Sequence, residues 1–83
     1  MRTARQIRRF ITTALLDEPF DGDDPLAEEI LDSLAVEQLV AHLEDSYGIT
    51  FDDEDVTPEN FADIATLAGL VDEKRRAAKA ARP

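Results

Sequence analysis

Apolar residues recur at three- and four-residue spacing in three stretches of this chain, and apolar–polar alternation nowhere runs long enough for a strand. Over residues 3–16 the pattern gathers Ile7, Phe10, Ile11, Ala14 and Leu15 onto one helix face. Asp17-Glu18-Pro19 ends that helix, because a proline disfavours helical backbone at the residue before it. Over residues 33–47, Val36, Leu39, Val40, Leu43 and Tyr47 share a face, and Gly48 is placed to close the helix. Over residues 63–78, Ile64, Leu67, Ala68 and Val71 turn inward, with Asp63 suited to cap the first turn.

The connections carry apolar residues of their own. Residues 17–32 are long for a link between helices, but Phe20, Leu26, Ile30 and Leu31 predict a loop packed onto the bundle. Gly22 and Pro25 mark turns within it. Residues 48–62 contain Ile49 and Phe51. There Thr57-Pro58-Glu59-Asn60-Phe61 sets a capping threonine before a proline at the first helical position, the signature of a short helix. The expected architecture is all-α: a small four-helix bundle of three main helices and one short one, with a long first loop. Residues 1–83 read as a single domain, with 79–83 as a frayed tail.

Charge changes the picture. The net charge is −10, and residues 17–63 hold seventeen Asp and Glu with no Lys or Arg. Arg2, Arg5, Arg8 and Arg9 make the beginning basic, and Lys74, Arg75, Arg76, Lys79 and Arg82 do the same for the end. The acidic middle repels nucleic acid, and neither basic end interleaves aromatics. It favours fast, salt-sensitive encounters with basic partners instead. A hydrophobic fraction of 43% is enough for a core, so the charge does not force disorder. No apolar run reaches the length of a membrane span and no signal-peptide core is present, so a monomeric cytoplasmic protein is expected.

The residues offer little for catalysis or metal binding. There is no cysteine, hence no disulfide, thiolate zinc site or thiol nucleophile. The one histidine, His42, falls in mid-helix as a partly exposed residue off the core stripe. Neither Asp21-Gly22-Asp23-Asp24 nor Asp52-Asp53-Glu54-Asp55 has the glycine register of a calcium loop. No phosphate-binding glycine loop is present.

What remains is Asp32-Ser33-Leu34, where the second helix begins. A helix start favours an anion, so a serine there is suited to carry a phosphate ester. Asp32 also suits the capping position. Ser33 has no base near it in sequence, which leaves it a site of modification and not a nucleophile of a triad. Beyond it, Leu34, Glu37, Gln38, Ala41 and Asp45 form a second, outward face bordered by Glu44. That face reads as a docking surface around the modified serine.

Together these residues resemble the acyl and peptidyl carrier proteins over about residues 7–72. Asp32-Ser33-Leu34 is similar to the family's attachment motif. The stretch Val36 to Gly48, with Leu43-Glu44-Asp45-Ser46-Tyr47-Gly48-Ile49 at its end, resembles the second helix and the turn after it. Asp24-Pro25-Leu26 resembles the end of the first loop. The resemblance implies that Ser33 receives 4′-phosphopantetheine from coenzyme A through a phosphopantetheinyl transferase. The thiol of that arm would hold an acyl or aminoacyl thioester, and the protein would be no enzyme itself. It further implies recognition through Asp32, Leu34, Glu37, Gln38, Ala41, Glu44 and Asp45. The partners would be an adenylating enzyme or acyltransferase for loading, and a downstream synthase or acyltransferase for use.

Fatty-acid carriers often place acids at the positions held here by Ala35 and Gln38. Many members have a glycine where this chain has Glu29-Ile30-Leu31, and Asp55 to Phe61 also departs from a housekeeping carrier. These departures favour a freestanding carrier of polyketide or nonribosomal peptide biosynthesis, with an aminoacyl starter-unit carrier as the preferred subtype. The alternatives are a fatty-acid-type carrier and an unmodified acidic helical adaptor.

Overall fold

The computed structural model describes residues 2–16, 22, 24–28 and 31–80. Expectations for Phe20 and Ile30 lie outside the described residues, as does the end of the tail, 81–83. Among the described residues the architecture is all-helical: α1, Arg2–Phe10; α2, Ser33–Tyr47; and α3, Ile64–Ala80. α3 continues through residues 79 and 80, where fraying was expected.

The first helix does not end as an α-helix. Ile11–Leu15 form one π-helical turn, and Leu16 N–H donates to the Ile11 carbonyl, five residues back, at 2.9 Å. The hydroxyls of Thr12 and Thr13 both donate to the Arg9 carbonyl, at 3.2 and 2.7 Å. Such side-chain bonds compete for the carbonyl that an α-turn would use. The wider turn shifts the register of the stripe. Ile11 stays fully buried and Leu15 half-buried, but Ala14, expected inside, is exposed.

The core is otherwise the one the three stripes foretell. Ile7, Ile11, Leu39, Leu43, Ile64, Leu67, Ala68 and Val71 are buried, joined by Leu26 and Ile49 from the connections. Val36, Val40 and Tyr47 are only half-buried, because α2 lies at the surface of a bundle whose closest pairing is α1 against α3. The Thr3 hydroxyl ties that pair together by donating to Asp72 Oδ1 at 2.8 Å.

Both ends of α2 and the start of α3 are satisfied by named groups. Asp32 caps α2 by accepting from Ala35 N–H at 2.8 Å. Gly48 closes it in the left-handed conformation, φ 64°, with its N–H on the Glu44 carbonyl. A side chain there would be strained, which is why glycine suits the position. Asp63 caps α3 through Thr66 N–H at 2.7 Å. That bond, with help from the Thr66 hydroxyl, holds the Asp63 carboxyl below its ordinary pKa.

α3 also has a second cap, from far away in sequence. Asp24 Oδ2 accepts from Ile64 N–H at 2.9 Å, while its Oδ1 accepts from Leu26 and Ala27 N–H at 2.9 and 3.1 Å. One carboxylate thus folds the turn 25–28 and fixes it to the start of α3. Arg8 adds a second tether, donating to the Gly22 carbonyl at 2.9 Å.

The short fourth helix reduces to a single turn. Asn60 N–H donates to the Thr57 hydroxyl at 3.2 Å, and Phe61 N–H to the Thr57 carbonyl at 3.1 Å, so the expected cap forms. The turn stops there because Asn60 and the residues around it serve the loop instead. The Asn60 amide donates to the Asp55 carbonyl at 2.8 Å. Asp55 also accepts from Asp52 N–H and pairs with Lys74 of α3 at 2.7 Å. The Lys74 contact first, and then the Asp52 N–H, keep the Asp55 carboxyl below the usual range. Lys74 also lies 5.4 Å from the centre of the Phe51 ring, fastening the second loop to α3.

Candidate functional site

Ser33 is the first residue of α2 and is exposed. Among the described residues nothing engages its hydroxyl, and its neighbour Asp32 is occupied with the cap. The imidazole of His42 lies nine residues along the helix, about 13 Å away at 1.5 Å per residue. It cannot serve Ser33 as a base. His42 has a structural role that the periodicity missed: its ring stacks on Phe10 at 3.7 Å between centroids and joins α1 to α2. Ser46 also lies within hydrogen-bond reach of it, at 3.3 Å.

A serine at this point is well placed for an anionic ester. The first turn of a helix presents N–H groups and the positive end of the dipole, both of which favour a phosphate. Among the described residues nothing bonds to the Ser33 hydroxyl, and its neighbour Asp32 is engaged with Ala35 N–H.

The outward face is largely as expected. Asp32, Leu34, Glu37, Gln38, Ala41 and Asp45 are all exposed, and Leu34 is 61% exposed, unusual for a leucine beside a packed bundle. Glu44 stands apart. It is half-buried, and its Oε2 accepts from Phe51 N–H at 2.8 Å, anchoring the second loop to α2. Its carboxylate is therefore spent on the fold before any partner arrives.

Two grooves flank the start of α2, and Leu31 borders both. One, of about 220 Å³, lies towards the π-turn and is lined by Leu15, Leu16, Leu31, Asp32, Leu34, Ala35 and Gln38. The other, of about 190 Å³, lies on the loop side and is lined by Pro25, Leu26, Leu31, Val36 and Phe61. The sequence pattern pointed to neither. Leu15 and Leu16 reach Ser33 only through folding, although an apolar Leu31 just ahead of the motif was a signal available in the chain.

At the far end of α2, Tyr47 bonds through its hydroxyl to Gln6 and lies under the Arg75 guanidinium, 5.0 Å from the ring centre. Burial pushes the Tyr47 phenol above its ordinary pKa, against the opposing pull of Arg75. Among the described residues no three acidic or histidine side chains converge to hold a metal ion.

A family model described as the phosphopantetheine attachment site matches residues 5–73, which takes in α2 whole and most of α1 and α3. The chain belongs to that family. The carrier therefore holds groups on a 4′-phosphopantetheine arm and is not itself a catalyst. Carriers of this kind work through the enzymes that modify and use them. No curated protein and no solved structure matches the chain. Among the described residues no helix of the carrier is long and apolar enough to cross a membrane. Its α2 start fits the arm: an exposed, unengaged hydroxyl at a helix N-terminus, with two grooves within reach.

Proposed function

We propose that Ser33 is the residue that receives the arm. The carrier would then hold an acyl or aminoacyl thioester for polyketide or nonribosomal peptide assembly, in the manner of an aminoacyl starter-unit carrier. The observation that carries the attachment is the exposed Ser33 hydroxyl at the first position of α2, beside an aspartate already committed to the cap. In the attachment step the Ser33 oxygen attacks the β-phosphorus of coenzyme A. A serine O–P bond forms, the bond to 3′,5′-ADP breaks, and the hydroxyl proton passes to a base of the phosphopantetheinyl transferase. Once bound, the arm supplies the thiol on which cargo rides as a thioester.

The remaining residues position and present. Asp32 holds the first turn of α2, so that Ser33 is displayed on a rigid element. Leu34 offers an exposed apolar contact, and Glu37, Gln38, Ala41 and Asp45 extend it along the helix for partners to read. Such partners would be the transferase, a loading adenylating enzyme or acyltransferase, and a downstream synthase, meeting a cytoplasmic monomer. Acidic side chains on that face steer basic partners inward and set the salt dependence of the encounter. The case for a dedicated pathway over fatty-acid synthesis rests on neutral Ala35 and Gln38, where fatty-acid carriers often have acids.

Intact mass tests the attachment. Co-expression with a promiscuous phosphopantetheinyl transferase should add one phosphopantetheine, and Ser33→Ala should abolish the addition. A wild-type chain that stays unmodified under those conditions, or a Ser33→Ala chain that is still modified, overturns the assignment. Loading assays with adenylating enzymes and with acyltransferases, each given the modified carrier, then decide the class of cargo.

A further inference from the structure

The two grooves beside Ser33 differ in chemistry. The loop-side groove is lined by Pro25, Leu26, Leu31, Val36 and Phe61, none of which has a side-chain hydrogen-bonding group. The groove towards the π-turn adds the Gln38 amide to its leucine walls. Among the described residues that amide makes no hydrogen bond, so both its donor and its acceptor are open. Four of this groove's lining residues, Leu31, Asp32, Leu34 and Ala35, lie within two positions of Ser33. At about 220 Å³ it is smaller than the roughly 300–1,000 Å³ of a pocket that encloses a whole drug-sized ligand. It suits a segment of chain, not an entire cargo.

Resting on the assignment of the arm to Ser33, we infer that the proximal part of the arm lies in the groove between the π-turn and α2, with Gln38 as its hydrogen-bonding partner. That part of the arm carries two methyl groups on one carbon, a hydroxyl and then an amide. Apolar walls, one neutral amide and a carboxylate already engaged in the α2 cap match this sequence of groups. Charge points the same way. A phosphodiester on Ser33 is an anion, and a carboxylate at position 35 or 38 would repel it from within about one and a half helical turns. Ala35 and Gln38 add no carboxylate to this groove beyond that of Asp32, which already accepts from Ala35 N–H. The described lining of the loop-side groove has no polar side chain to pair with the amide, and burying an amide unpaired is costly. Gln38 is a positioning residue in this arrangement; it takes no part in the chemistry at the thiol.

The experiment uses the full chain, converted to its modified form and checked by intact mass. An unmodified mass defeats the attachment assignment itself and is thereby distinguished from failure of this inference. In the modified chain, isotope-filtered NMR should show contacts from the arm's paired methyls to the Leu15, Leu16 and Leu34 methyls. The Gln38 side-chain amide should shift between the unmodified and modified forms. Gln38→Ala should lose the contacts to Leu15 and Leu16 while its backbone spectrum keeps the dispersion of the folded chain. Contacts to Val36 and Phe61 instead, no contacts beyond Ser33 and its immediate neighbours, or an unchanged contact pattern in Gln38→Ala would each overturn the inference.

Discussion

Asp24→Ala should be among the most damaging single changes outside the apolar core, although nothing in the local sequence marks its bond to Ile64. The carboxylate accepts three backbone N–H groups, from Leu26, Ala27 and Ile64. Ala27 is exposed, so water can replace its bond at little cost. Ile64 is only 6% exposed, and its N–H belongs to the first turn of α3, where no helical carbonyl can reach it. Loss of a capping acceptor costs about 0.5–2 kcal/mol, and an intramolecular hydrogen bond contributes about 0.5–1.5 kcal/mol net of its exchange with water, more when its acceptor is charged. Leu26 and Ile64 are both buried, and about 1–1.5 kcal/mol for each of their two bonds gives an expected loss of about 2–3 kcal/mol. A chain of this length holds about 4–12 kcal/mol in total, at roughly 0.05–0.15 kcal/mol per residue. The loss should therefore lower Tm by roughly 8–24 °C, at about 4–8 °C per kcal/mol for a domain of this size. Urea denaturation of Asp24→Ala beside Asp63→Ala is the measurement. Asp63→Ala removes a purely local cap and should cost only about 1 kcal/mol. Asp24→Asn keeps one oxygen and should fall between wild type and Asp24→Ala. If Asp24→Ala proves no worse than Asp63→Ala, the long-range bond to Ile64 contributes nothing and the reasoning fails.

Three further outcomes are expected. Leu39→Ala or Leu43→Ala, each emptying a fully buried position, should cost about 2–5 kcal/mol by denaturant unfolding, a large share of the total. The folded-state pKa of Asp55 is depressed by Lys74, so the pair's stabilisation is present above the unfolded carboxyl pKa of about 4 and lost as pH falls through the lower folded value. The Tm gap between wild type and Asp55→Asn at pH 6 should accordingly close in acid; a gap that persists at pH 2 would contradict the pairing. Reversing Glu37 and Asp45 together should slow loading by a basic partner and flatten its salt dependence without moving Tm, whereas Glu44→Lys should lower Tm by releasing Phe51 N–H. Equal Tm effects from the two variants would show that Glu44 is as free as its neighbours.

Much of the site was legible because its signals are local. Asp32, Ser33 and Leu34 announce the start of a helix, and both the cap and the exposure of Ser33 follow from position alone. The structural part of Glu44 was not legible, because a helix face says nothing about the loop folded against it: one of its oxygens accepts from a backbone N–H seven residues on. Ala14 was misplaced because the stripe assumes a constant α-helical period. Two threonines reaching back to Arg9 sit at the turn where that period changes.

Periodicity, capping residues and charge run were enough to set three helices, eight of the buried core residues and an exposed acidic face that begins at Ser33. These are short-range consequences of helical spacing and backbone satisfaction, so one chain carries them in plain order. Tertiary structure alone decided which distant groups meet. Asp24 caps a helix forty residues away, His42 stacks on Phe10, and Leu15 and Leu16 come to lie beside the site at Ser33. Each of these contacts exists only once α1, the loops and α2 have packed, because a pairing across space leaves no period in the sequence.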